Sequence, residues 1–422
     1  MLMLVCKYGG TSVGSAALVR RAAAGIKRLA EDGEQIVVVV SAMGNETDRL
    51  ADLCDEFADA APRERDRVLA SGEEVAAGLA AMALAETGIA ARSFTGAQAG
   101  ILTDDAHGKA RIVDIDTSAL RDSLRRGETP VVAGFQGRTS GGDVSTLGRG
   151  GSDTTAVALA AAMVAGECRI YTDVRGIYTT DPRICEKARL LSAITFEEML
   201  EMASLGSKVL QTRAVEFAGK YRVPLRVLPA ADFSAPGTLI HYKEETAMEQ
   251  PVVTGVAFNR DEAKITLVGA PDRPGIAGQI LAAVAAADVN VDMIVQNTGS
   301  DGRTDFSFTV HRDEFKPAMR AARATADGIG ARDVAGDSGI GKVSVVGIGM
   351  KSHAGVAALM FDALARENIN IRMISTSEIK ISVVLDEENL ERAVRTLHDA
   401  FHLDREPADE PTPRGRAADA AE

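Results

Sequence analysis

The sequence has no tryptophan, and aromatic residues make up only 4% of its 422 positions. Its four cysteines include no C-x-x-C pair, which argues against a zinc ribbon and against a disulfide framework. Its six histidines form neither a metal-ligand cluster nor part of a Ser/His/Asp set. We therefore expect no metal site built from side chains and no hydrolytic triad, and the free thiols fit a reducing cytoplasm best.

Long hydrophobic runs and an excess of positive charge are also missing. The most apolar stretches, such as residues 154–166, have about 13 residues, whereas a membrane span needs 18 or more. Sixty acidic residues against 47 basic ones give a net charge of −13, which does not suit a general nucleic-acid binder. We predict a cytoplasmic chain of two or three domains, without signal peptide, membrane anchor or nucleic-acid partner.

The first 245 residues alternate apolar runs with helical patterns. The runs lie at 2–6, 35–40, 130–133 and 169–172. Helical spacing is found at 16–30, 154–164 and 195–217. Strands that are hydrophobic throughout and alternate with helices predict a mainly parallel sheet that is covered on both faces.

The later residues contain an internal repeat of roughly 80 residues. VGAPDRPGIAGQILAAVAAADVNVDMI, from Val268, is similar to VGIGMKSHAGVAALMFDALARENINIRMI, from Val346, and the alignment pairs Asn290 with Asn370. Each copy reads as strand, turn, amphipathic helix and strand, which predicts two small α+β units. A polar linker at 242–250 precedes them. The tail at 404–422 has three prolines and no Val, Ile, Leu, Met or aromatic residue, so we predict that it is disordered.

Two glycine-rich motifs carry groups that suit anions. KYGGTSVG at 7–14 places a lysine and glycines between a strand and a helix, where backbone N–H groups can approach a phosphate. It matches neither G-x-x-x-x-G-K-[ST] nor G-x-G-x-x-G, and the alternative is a tight strand-to-helix turn. GRGGSDTTA at 148–156 opens a helix beside Arg149, which can fork onto a carboxylate. Ser152 and Asp153 could instead be simple helix caps.

Other segments add an aromatic side chain, a lysine and acids. YTDVRGIYTTDPR at 171–183 continues a strand into a loop where Tyr178 could hold a base and a ribose, the alternative being an ordinary polar loop. LGSKVLQTRAVE at 205–216 puts Lys208 near a helix start. A positive charge there is repelled by the helix dipole unless a bound anion neutralises it. We expect SGEE at 71–74 to open a helix at 75–85, with Glu73 typical of a surface residue.

Together these residues indicate phosphoryl transfer. That reaction depends on positioning and charge neutralisation, and a carboxylate acceptor needs no general base because it is already ionised at pH 7. Magnesium would arrive with ATP and be held mostly by the phosphates.

Seven ordered motifs resemble those of aspartate kinases in the amino-acid-kinase superfamily. They are KYGGTSVG, VSAMGNETD, FTGAQAGILTDDAHGKARI, VVAGFQG, GRGGSDTTA, YTDVRGIYTTDPR and SKVLQTRAVE. The repeat resembles the family's pair of ACT regulatory domains. The resemblance implies a three-layer αβα kinase domain with a mainly parallel sheet at 1–245, then two ferredoxin-like α+β ACT domains at 252–403. The first ACT domain would span about 263–336 and the second about 340–403 plus a strand at 252–258.

The resemblance also implies ATP-dependent phosphorylation of the side-chain carboxylate of L-aspartate, the first step of lysine, threonine and methionine synthesis. The catalytic residues would be Lys7 and Lys208, at the transferred phosphoryl group, and Asp153, which keeps the lysines in place. The residues implied to bind ATP, with Mg²⁺, are Lys7, Tyr8, Gly9, Gly10, Ser41, Thr172, Asp173, Tyr178, Asp181, Pro182, Arg183 and Lys208. Those implied to bind aspartate are Ser41, Thr47, Glu73, Phe135, Arg149, Gly150, Gly151 and Ser152. Glu73 would meet the ammonium of aspartate and Arg149 its α-carboxylate.

For the ACT pair, the resemblance implies feedback inhibition by lysine, threonine or both, bound between units and across a homodimer or larger oligomer. The implied effector residues are Asp272, Arg273, Gly275, Ile276, Ala277, Asn290, Val291, Asp292, Gln296, His353, Ala354, Asn370, Ile371, Ser377 and Glu378. Core or turn packing is the alternative explanation for each of them. Cys6 and Glu74 depart from the family pattern, and neither carries an assigned role.

Two other functions compete with this interpretation. One is a kinase of the same fold that acts on glutamate, carbamate or a nucleotide, against which Thr47, Glu73 and the ACT pair argue. The other is a catalytically silent amino-acid sensor in which only the ACT pair works. An internal start near Met248 would in addition yield a separate regulatory chain. The residues do not distinguish lysine from threonine as inhibitor, or a dimer from a tetramer.

Overall fold

The computed structural model describes residues 2–57, 60–205, 209–242, 253–299, 301–348, 350 and 355–405. Lys208, Met248, His353 and Ala354, to which the sequence analysis gave roles, lie outside the described residues, as does most of the tail.

The first half of the chain folds into an α/β domain. Its elements are β1 (Met3–Tyr8), α1 (Ala16–Glu31), β2 (Gln35–Val40), α2 (Glu46–Asp55), α3 (Pro62–Glu86), β3 (Ala91–Phe94), β4 (Ile101–Thr103), β5 (Ile112–Ile115), α4 (Ser118–Arg125), β6 (Thr129–Ala133), β7 (Gln136–Thr139), β8 (Val144–Thr146), α5 (Gly151–Met163), β9 (Glu167–Thr172), β10 (Ala193–Thr195), α6 (Phe196–Ser204), α7 (Thr212–Tyr221), β11 (Leu225–Pro229) and β12 (Thr238–His241).

Eight of these strands form one sheet within the described residues, in the order β10-β12-β11-β9-β1-β2-β6-β3. All neighbouring strands are parallel except β11 and β12, so the predicted mainly parallel sheet is confirmed. Successive side chains of β1 point to opposite faces: Val5 joins a core formed with α5 and α7, while Leu4 and Cys6 join a core formed with α1 and α3. The sheet is therefore the middle layer of three, and its central strands are apolar because both faces are covered.

A second, four-stranded sheet, in the order β5-β4-β7-β8, was not predicted. Its strands are three or four residues long, and β5 is partly exposed, so none of them produces the continuous apolar run that reveals a buried strand. This sheet leads into the Gly148–Ala156 motif, because β8 ends two residues before Gly148.

Three predicted helices have different bounds. The pattern at 154–164 belongs to α5, which already begins at Gly151. The pattern at 195–217 is two helices: a capping box between Thr195 and Glu198 starts α6, and α7 starts only at Thr212. The helix expected at 75–85 is the second half of the 25-residue α3, in which the Ser71 hydroxyl donates to the Val68 carbonyl instead of capping a helix start.

The length of α3 corrects the expectation that no apolar stretch reaches the length of a membrane span. By length and composition alone this helix could cross a bilayer. Half of its apolar window is buried within the domain, and its inner side carries the buried carboxylates Asp66 and Glu73. We interpret α3 as a core helix.

The second half forms one six-stranded sheet in the order β14-β15-β13-β16-β18-β17. Its elements are β13 (Gly255–Pro271), α8 (Ile276–Ala286), β14 (Val291–Thr298), β15 (Arg303–His311), α9 (Phe315–Ile329), β16 (Asp333–Val346), α10 (Val356–Arg366), β17 (Met373–Thr376), β18 (Lys380–Asp386) and α11 (Leu390–Ala400). β13 and β16 are 17 and 14 residues long and run antiparallel through both repeats. The start of β13 pairs with the end of β16, Gly255 opposite Val346, so the chain enters the second repeat, leaves it to build the first and then returns.

Candidate active site

The carboxyl ends of β1, β2, β6 and β9 meet the amino end of α5. Lys7, at the end of β1, is only 8% exposed, and its Nζ lies 2.6 Å from the carboxylate of Asp153 in the first turn of α5. A buried ammonium needs an opposite charge close by, and Asp153 supplies it. The structure thus brings together two of the three residues predicted to be catalytic, while the third, Lys208, lies outside the described residues.

The glycine loop after β1 is packed against the turn after β2. A Cβ on Gly10 would lie 2.9 Å from the carbonyl oxygen of Ala42 and 3.0 Å from that of Gly44, so no side chain fits there. The backbone of Gly9 lies next to the lysine, since a Cβ on it would be 3.5 Å from the Nζ of Lys7. Backbone and ammonium group are therefore adjacent, as an anion cradle requires.

Glu73 lies in this region and is buried, contrary to the expectation of a surface residue. It is 2% exposed in the middle of α3, and its Oε1 accepts a hydrogen bond from the backbone N–H of Ala42 at 3.0 Å. Its Oε2 has no partner among the described residues. Burial raises the pKa of Glu73 to about 7, although the Ala42 N–H works in the opposite direction. An unpaired, buried carboxylate oxygen suits a cationic ligand.

Phe135, which follows β6, has a left-handed backbone with φ 68°. Such a conformation costs a bulky residue on the order of 1–2 kcal/mol. Two hydrogen bonds hold it: the Phe135 N–H donates to the Thr155 hydroxyl of α5, and the Phe135 carbonyl accepts from the Leu147 N–H. The end of β6 is thus fixed directly to the motif that carries Arg149 and Ser152.

The turn before α5 is crowded on one side and open on the other. Gly150 is the N-cap of α5 with φ 71°, and a Cβ there would lie 1.9 Å from Cγ of Gln211. Gly151 and Ser152 are buried in the first turn. Arg149 is exposed and forms no ion pair within the described residues, so its guanidinium is available to a ligand.

Asp66 was missed by the sequence analysis although it fixes this turn. It is fully buried in α3 and accepts hydrogen bonds from the backbone N–H groups of Gly108 and Thr146, the Thr146 hydroxyl and, at 2.8 Å, the His107 ring. From α7, Arg213 donates to the carbonyls of Leu147 and Ala110. The available signal was spacing: Asp66 and Glu73 are seven residues apart, which places both on one face of a helix.

The predicted ATP residues separate into two groups. Thr172 ends β9 and Asp173 follows it. β9 meets the glycine loop where the Gly9 N–H donates to the Tyr171 carbonyl at 3.2 Å. No described contact joins the second group to Lys7; its members are Tyr178, Asp181, Pro182 and Arg183. Asp181 instead pairs with Arg183 at 2.7 Å, and hydrogen bonding to that guanidinium lowers the pKa of Asp181.

Two of the predicted site residues have buried side chains. The ring of Tyr8 is 1% exposed and stacks on Tyr171 with ring centroids 4.6 Å apart, in the core on the α1 and α3 face of the sheet. Because Lys7 points to the opposite face, the Tyr8 side chain cannot line the same site, and only its backbone lies at the edge. Ile276 is 2% exposed in the core of the first repeat, so its side chain is not open to an effector. The side chain of Tyr8 is buried because side chains alternate between the two faces along β1, and that of Ile276 is buried because it packs in the apolar core beneath α8.

Ser41 and Thr47 lie on either side of the turn after β2. The Ser41 N–H donates to the Tyr8 carbonyl at 3.1 Å, and Thr47 lies in the first turn of α2. Both lie next to the backbone that carries the Glu73 partner, Ala42. The residues predicted to bind aspartate thus lie on five segments: the turn after β2, the first turn of α2, α3, the turn after β6 and the start of α5.

The predicted effector residues that are described lie at equivalent places in the two repeats. In the first repeat they are Asp272, Arg273, Gly275, Ala277, Asn290, Val291, Asp292 and Gln296, around the start of α8 and along β14. In the second they are Asn370, Ile371, Ser377 and Glu378, on either side of β17. Asp292 forms an ion pair with Lys342 of β16, a 3% exposed lysine that also lies 2.7 Å from Glu262. Burial opposes its charge, but the two carboxylates raise the pKa of Lys342.

The second repeat contacts the loop after β9. The buried Thr179 hydroxyl lies 2.9 Å from Nε2 of His398 in α11, and the Thr179 carbonyl accepts from the Val256 N–H at 2.7 Å. Lys380 of β18 pairs with Glu201 of α6 at 2.6 Å. The loop that carries Tyr178 and Asp181 is therefore bonded to the second half of the chain.

Comparisons with known proteins agree with this architecture. Residues 3–229 match the amino acid kinase family, and residues 264–327 and 343–401 each match an ACT domain. An aspartate kinase from Pseudomonas putida is 58% identical over 405 residues, which cover 96% of this chain and 98% of that protein.

Two solved structures of E. coli aspartokinase III are similar to this chain. One, in complex with aspartate and ADP in the R-state, has 26% identity and a TM-score of 0.77, covering 95% of this chain and 100% of that one. The other, in complex with lysine and aspartate in the T-state, has 25% identity and a TM-score of 0.73, covering 94% and 99%. The resemblance read from the seven motifs is confirmed: the chain belongs to the aspartate kinases of the amino acid kinase family, and it is a kinase with paired ACT domains.

Proposed function

We propose that the chain transfers the γ-phosphoryl group of ATP to the side-chain carboxylate of L-aspartate, giving 4-phospho-L-aspartate and ADP. The observation that carries this proposal is the buried Lys7–Asp153 ion pair beside the glycine loop, together with a Glu73 oxygen on the adjoining segment that has no partner in the described part of the chain. The aspartate and ADP bound by E. coli aspartokinase III support it. The product would enter lysine, threonine and methionine synthesis in the cytoplasm.

Aspartate would be held by charges of opposite sign at its two ends. Glu73 offers a carboxylate oxygen to the substrate ammonium, and Arg149, which forms no ion pair within the described residues, offers its guanidinium to the α-carboxylate. Hydroxyl and backbone groups would complete the site, from Ser41, Thr47, Phe135, Gly150, Gly151 and Ser152. A substrate longer by one methylene would displace its carboxylate from the phosphoryl group, which is how glutamate would be rejected.

ATP would lie along the glycine loop. The N–H groups near Gly9 and Gly10 and the Lys7 ammonium suit the phosphates, and Thr172, Asp173 and Tyr178 would contact the nucleoside, with Asp181, Pro182, Arg183 and Lys208 around it. No group of three acidic, histidine or cysteine side chains suited to a metal occurs among the described residues, so Mg²⁺ would be held mainly through the phosphates.

The reaction needs no proton transfer to start. A carboxylate oxygen of aspartate, ionised at neutral pH, attacks the γ-phosphorus, and the bond to the oxygen that bridges the β- and γ-phosphates breaks to release ADP. Lys7, with Lys208, would neutralise the charge that develops on the transferred group. Asp153 would orient the Lys7 ammonium, because its carboxylate lies 2.6 Å away.

We further propose feedback control by lysine, threonine or both at the ACT pair, with a homodimer formed through these domains. We propose the domain bounds 1–245 for the kinase domain and 252–403 for the ACT pair, in which the first ACT domain spans 263–336 and the second 340–403 plus 252–258. The pairing of Gly255 with Val346 supports the assignment of strand 252–258 to the second ACT domain. Lysine bound to E. coli aspartokinase III in the T-state supports the effector class. A shorter regulatory chain from an internal start near Met248 would show as a second product with a tag at the C-terminus.

A coupled ADP-release assay with aspartate, glutamate and carbamate tests the reaction. We expect turnover with aspartate alone, and Lys7→Ala should lower kcat at least about 100-fold because a charge at the transferred group is lost. Lys27→Ala, on the outer part of α1, is the matched control. Turnover with glutamate or carbamate and none with aspartate would contradict the proposal, as would unchanged turnover in Lys7→Ala.

The Glu73 assignment has its own test. Glu73→Gln keeps the shape but removes the charge that would meet the substrate ammonium, worth about 1.5–3 kcal/mol, so the KM for aspartate should rise about 10- to 100-fold. The KM for ATP should change less than about threefold. Glu74→Gln, at the exposed neighbouring position, should alter neither value. Equal effects of the two variants would show that Glu73 does not contact aspartate.

A further inference from the structure

A cavity of about 290 Å³ lies on the α1 face of the eight-stranded sheet. Its floor is formed by side chains of β9 and β11, and its walls by the second half of α1 and by the loop after β11. This volume is at the lower end of the range for small-molecule sites. None of its lining residues is among those assigned to ATP, aspartate or an effector, so the cavity lies outside the sites described above.

Charged side chains interrupt the apolar pattern of β9 and β11 on this face. Glu167 and Arg169 of β9 and Arg226 of β11 point to the α1 face, whereas Cys168 and Ile170 of β9 are buried in the core on the other face. Arg226 lies directly opposite Arg169 in the strand register. Like charges in such cross-strand positions repel each other, so this arrangement needs an anion.

The chain itself supplies only part of the negative charge. The Glu167 carboxylate lies 2.7 Å from Nε of Arg169 and 3.0 Å from a terminal nitrogen of Arg226, so one anion is shared between two cations. Arg28 of α1 also lines the cavity, and it forms no ion pair in the described part of the chain. Asp32 is the acidic residue of the lining. Three guanidinium groups against two carboxylates leave a positive charge, which suits an oxyanion.

Aromatic and aliphatic side chains form the rest of the cavity. The rings of Tyr171 and Phe233 meet edge to face, with centroids 5.7 Å apart, and Leu228 adds an apolar surface beside them. Gly25 lies in the interior of α1, where glycine is less favourable than alanine, and a Cβ on it would collide with the Phe233 ring. The glycine thus allows the loop after β11 to pack on α1 and close one side of the cavity.

We propose that this cavity binds a small organic oxyanion, a carboxylate or a phosphate carried on a flat apolar body. The oxyanion lies between Arg28 and Arg169, and the apolar part lies against Tyr171 and Phe233. The Tyr171 carbonyl accepts the hydrogen bond from the Gly9 N–H, so the bound molecule would lie behind the glycine loop, on the other face of the sheet from Lys7.

Calorimetric titration of the full-length chain with benzoate and with phenyl phosphate tests the proposal. We expect saturable binding of at least one of them, with a Kd of about 1 mM or lower, and the tighter probe identifies the oxyanion as a carboxylate or a phosphate. Benzamide has the shape of benzoate without its charge, so it should bind at least about tenfold more weakly than benzoate if the carboxylate is preferred. Absence of saturable binding by both anions would overturn the proposal.

Three substitutions locate the binding. Arg28→Gln should weaken it at least about fivefold, because a charged hydrogen-bond donor is lost. Arg21→Gln is the matched control, since it removes the same charge from the same helix at an exposed position outside the cavity. Glu167→Gln removes the carboxylate that competes with the ligand for Arg169 and Arg226, so affinity should rise at least about threefold, whereas a purely structural role would lower it.

The variant of Arg28 decides the proposal even if Glu167→Gln fails to fold, because Arg28 is exposed on α1. Equal affinities of Arg28→Gln and Arg21→Gln would show that the anion binds elsewhere. A loss of binding in Arg149→Gln together with none in Arg28→Gln would place it in the active site and would likewise overturn the assignment. These titrations need no turnover, so their outcome is independent of the proposed reaction.

Discussion

Glu73 is a buried acidic residue whose carboxylate lacks a second hydrogen-bond partner among the described residues. Its carboxylate is nearly inaccessible, one oxygen is held by the Ala42 N–H and the other has no described partner. A carboxyl group in such surroundings favours its neutral form until a cation arrives, which is why its pKa is raised to about 7. Burying Glu73 without a second partner lowers the stability of the free protein, but it provides a negative charge that a cationic substrate would contact.

The raised pKa predicts a pH dependence of stability. Between about pH 4.5 and pH 7 the unfolded chain has released the Glu73 proton while the folded chain retains it, so the folded state binds more protons and stability falls as pH rises. The contribution is about 3 kcal/mol over that range. Glu73→Gln should lack it, and urea unfolding of both proteins at pH 5 and pH 8 measures the difference. Glu74→Gln should behave like the wild type, and parallel changes in wild type and Glu73→Gln would contradict the assignment.

Asp66 affects the site indirectly, through the segments to which it is hydrogen-bonded. It touches no residue assigned to a ligand, yet its hydrogen bonds hold the segments before the Arg149 turn. In Asp66→Asn an amide N–H₂ group would face N–H donors, which costs about 2–4 kcal/mol of stability. We expect the KM for aspartate to rise about tenfold or more and the KM for ATP to change less than about threefold, as measured by initial rates. Glu64→Gln, on the exposed side of α3, is the control; equal rises in both KM values would indicate general loosening instead of a positioning role.

At the scale of elements, sequence patterns predict what the backbone does locally. The apolar runs of β1, β2, β6 and β9 predict buried parallel strands, and the glycines after β1 predict a turn that the structure places against the turn after β2. The full length of α3 and the short strands β4, β5, β7 and β8 are not visible in this way, because distant contacts stabilise them. Asp66 and Glu73 are recognisable as inner-face residues only once α3 is known to run through both.

The crowded turn before α5 gives a test of element-level packing. Gly150 and Gly142 both have left-handed backbones, with φ 71° and 91°, but a Cβ would collide with Gln211 at Gly150 and meet nothing at Gly142. Gly142→Ala should therefore lose about 1–2 kcal/mol from backbone strain alone. Gly150→Ala should lose a further 1–3 kcal/mol, roughly, from overpacking, and with it most of its kcat, since α5 carries Asp153. Equal losses of unfolding free energy and activity in the two variants would refute the packing argument.

At the scale of the molecule, the two halves are joined at the loop after β9. His398 and Thr179 are both fully buried, and burial lowers the pKa of His398, so the ring is neutral at pH 7 and can accept a hydrogen bond from the Thr179 hydroxyl. The Arg189 N–H donates to the same hydroxyl, which leaves Thr179 to act as the donor to His398. No sequence pattern pairs residues 219 positions apart, so this contact could not be predicted from the sequence.

If effector control passes through this contact, His398→Ala should uncouple it. We expect the effector concentration for half-maximal inhibition to rise at least about tenfold, a coupling loss of about 1.4 kcal/mol, while the uninhibited rate changes less than about threefold. Lysine and threonine titrations in the ADP-release assay measure both values. His402→Ala, exposed just after α11, is the control. Unchanged inhibition in His398→Ala would place the coupling elsewhere.

The continuous β13 and β16 strands have a consequence for protein engineering. Asn259 lies opposite Lys342 and Glu262 opposite Ile340, so the polypeptide departs toward the first repeat and comes back on adjacent strands. Replacing everything between these points with a tight hairpin loop would leave the other repeat's strand order unchanged. The first repeat is thus an insertion with neighbouring attachment points, which suits its exchange for the counterpart from another member of the family.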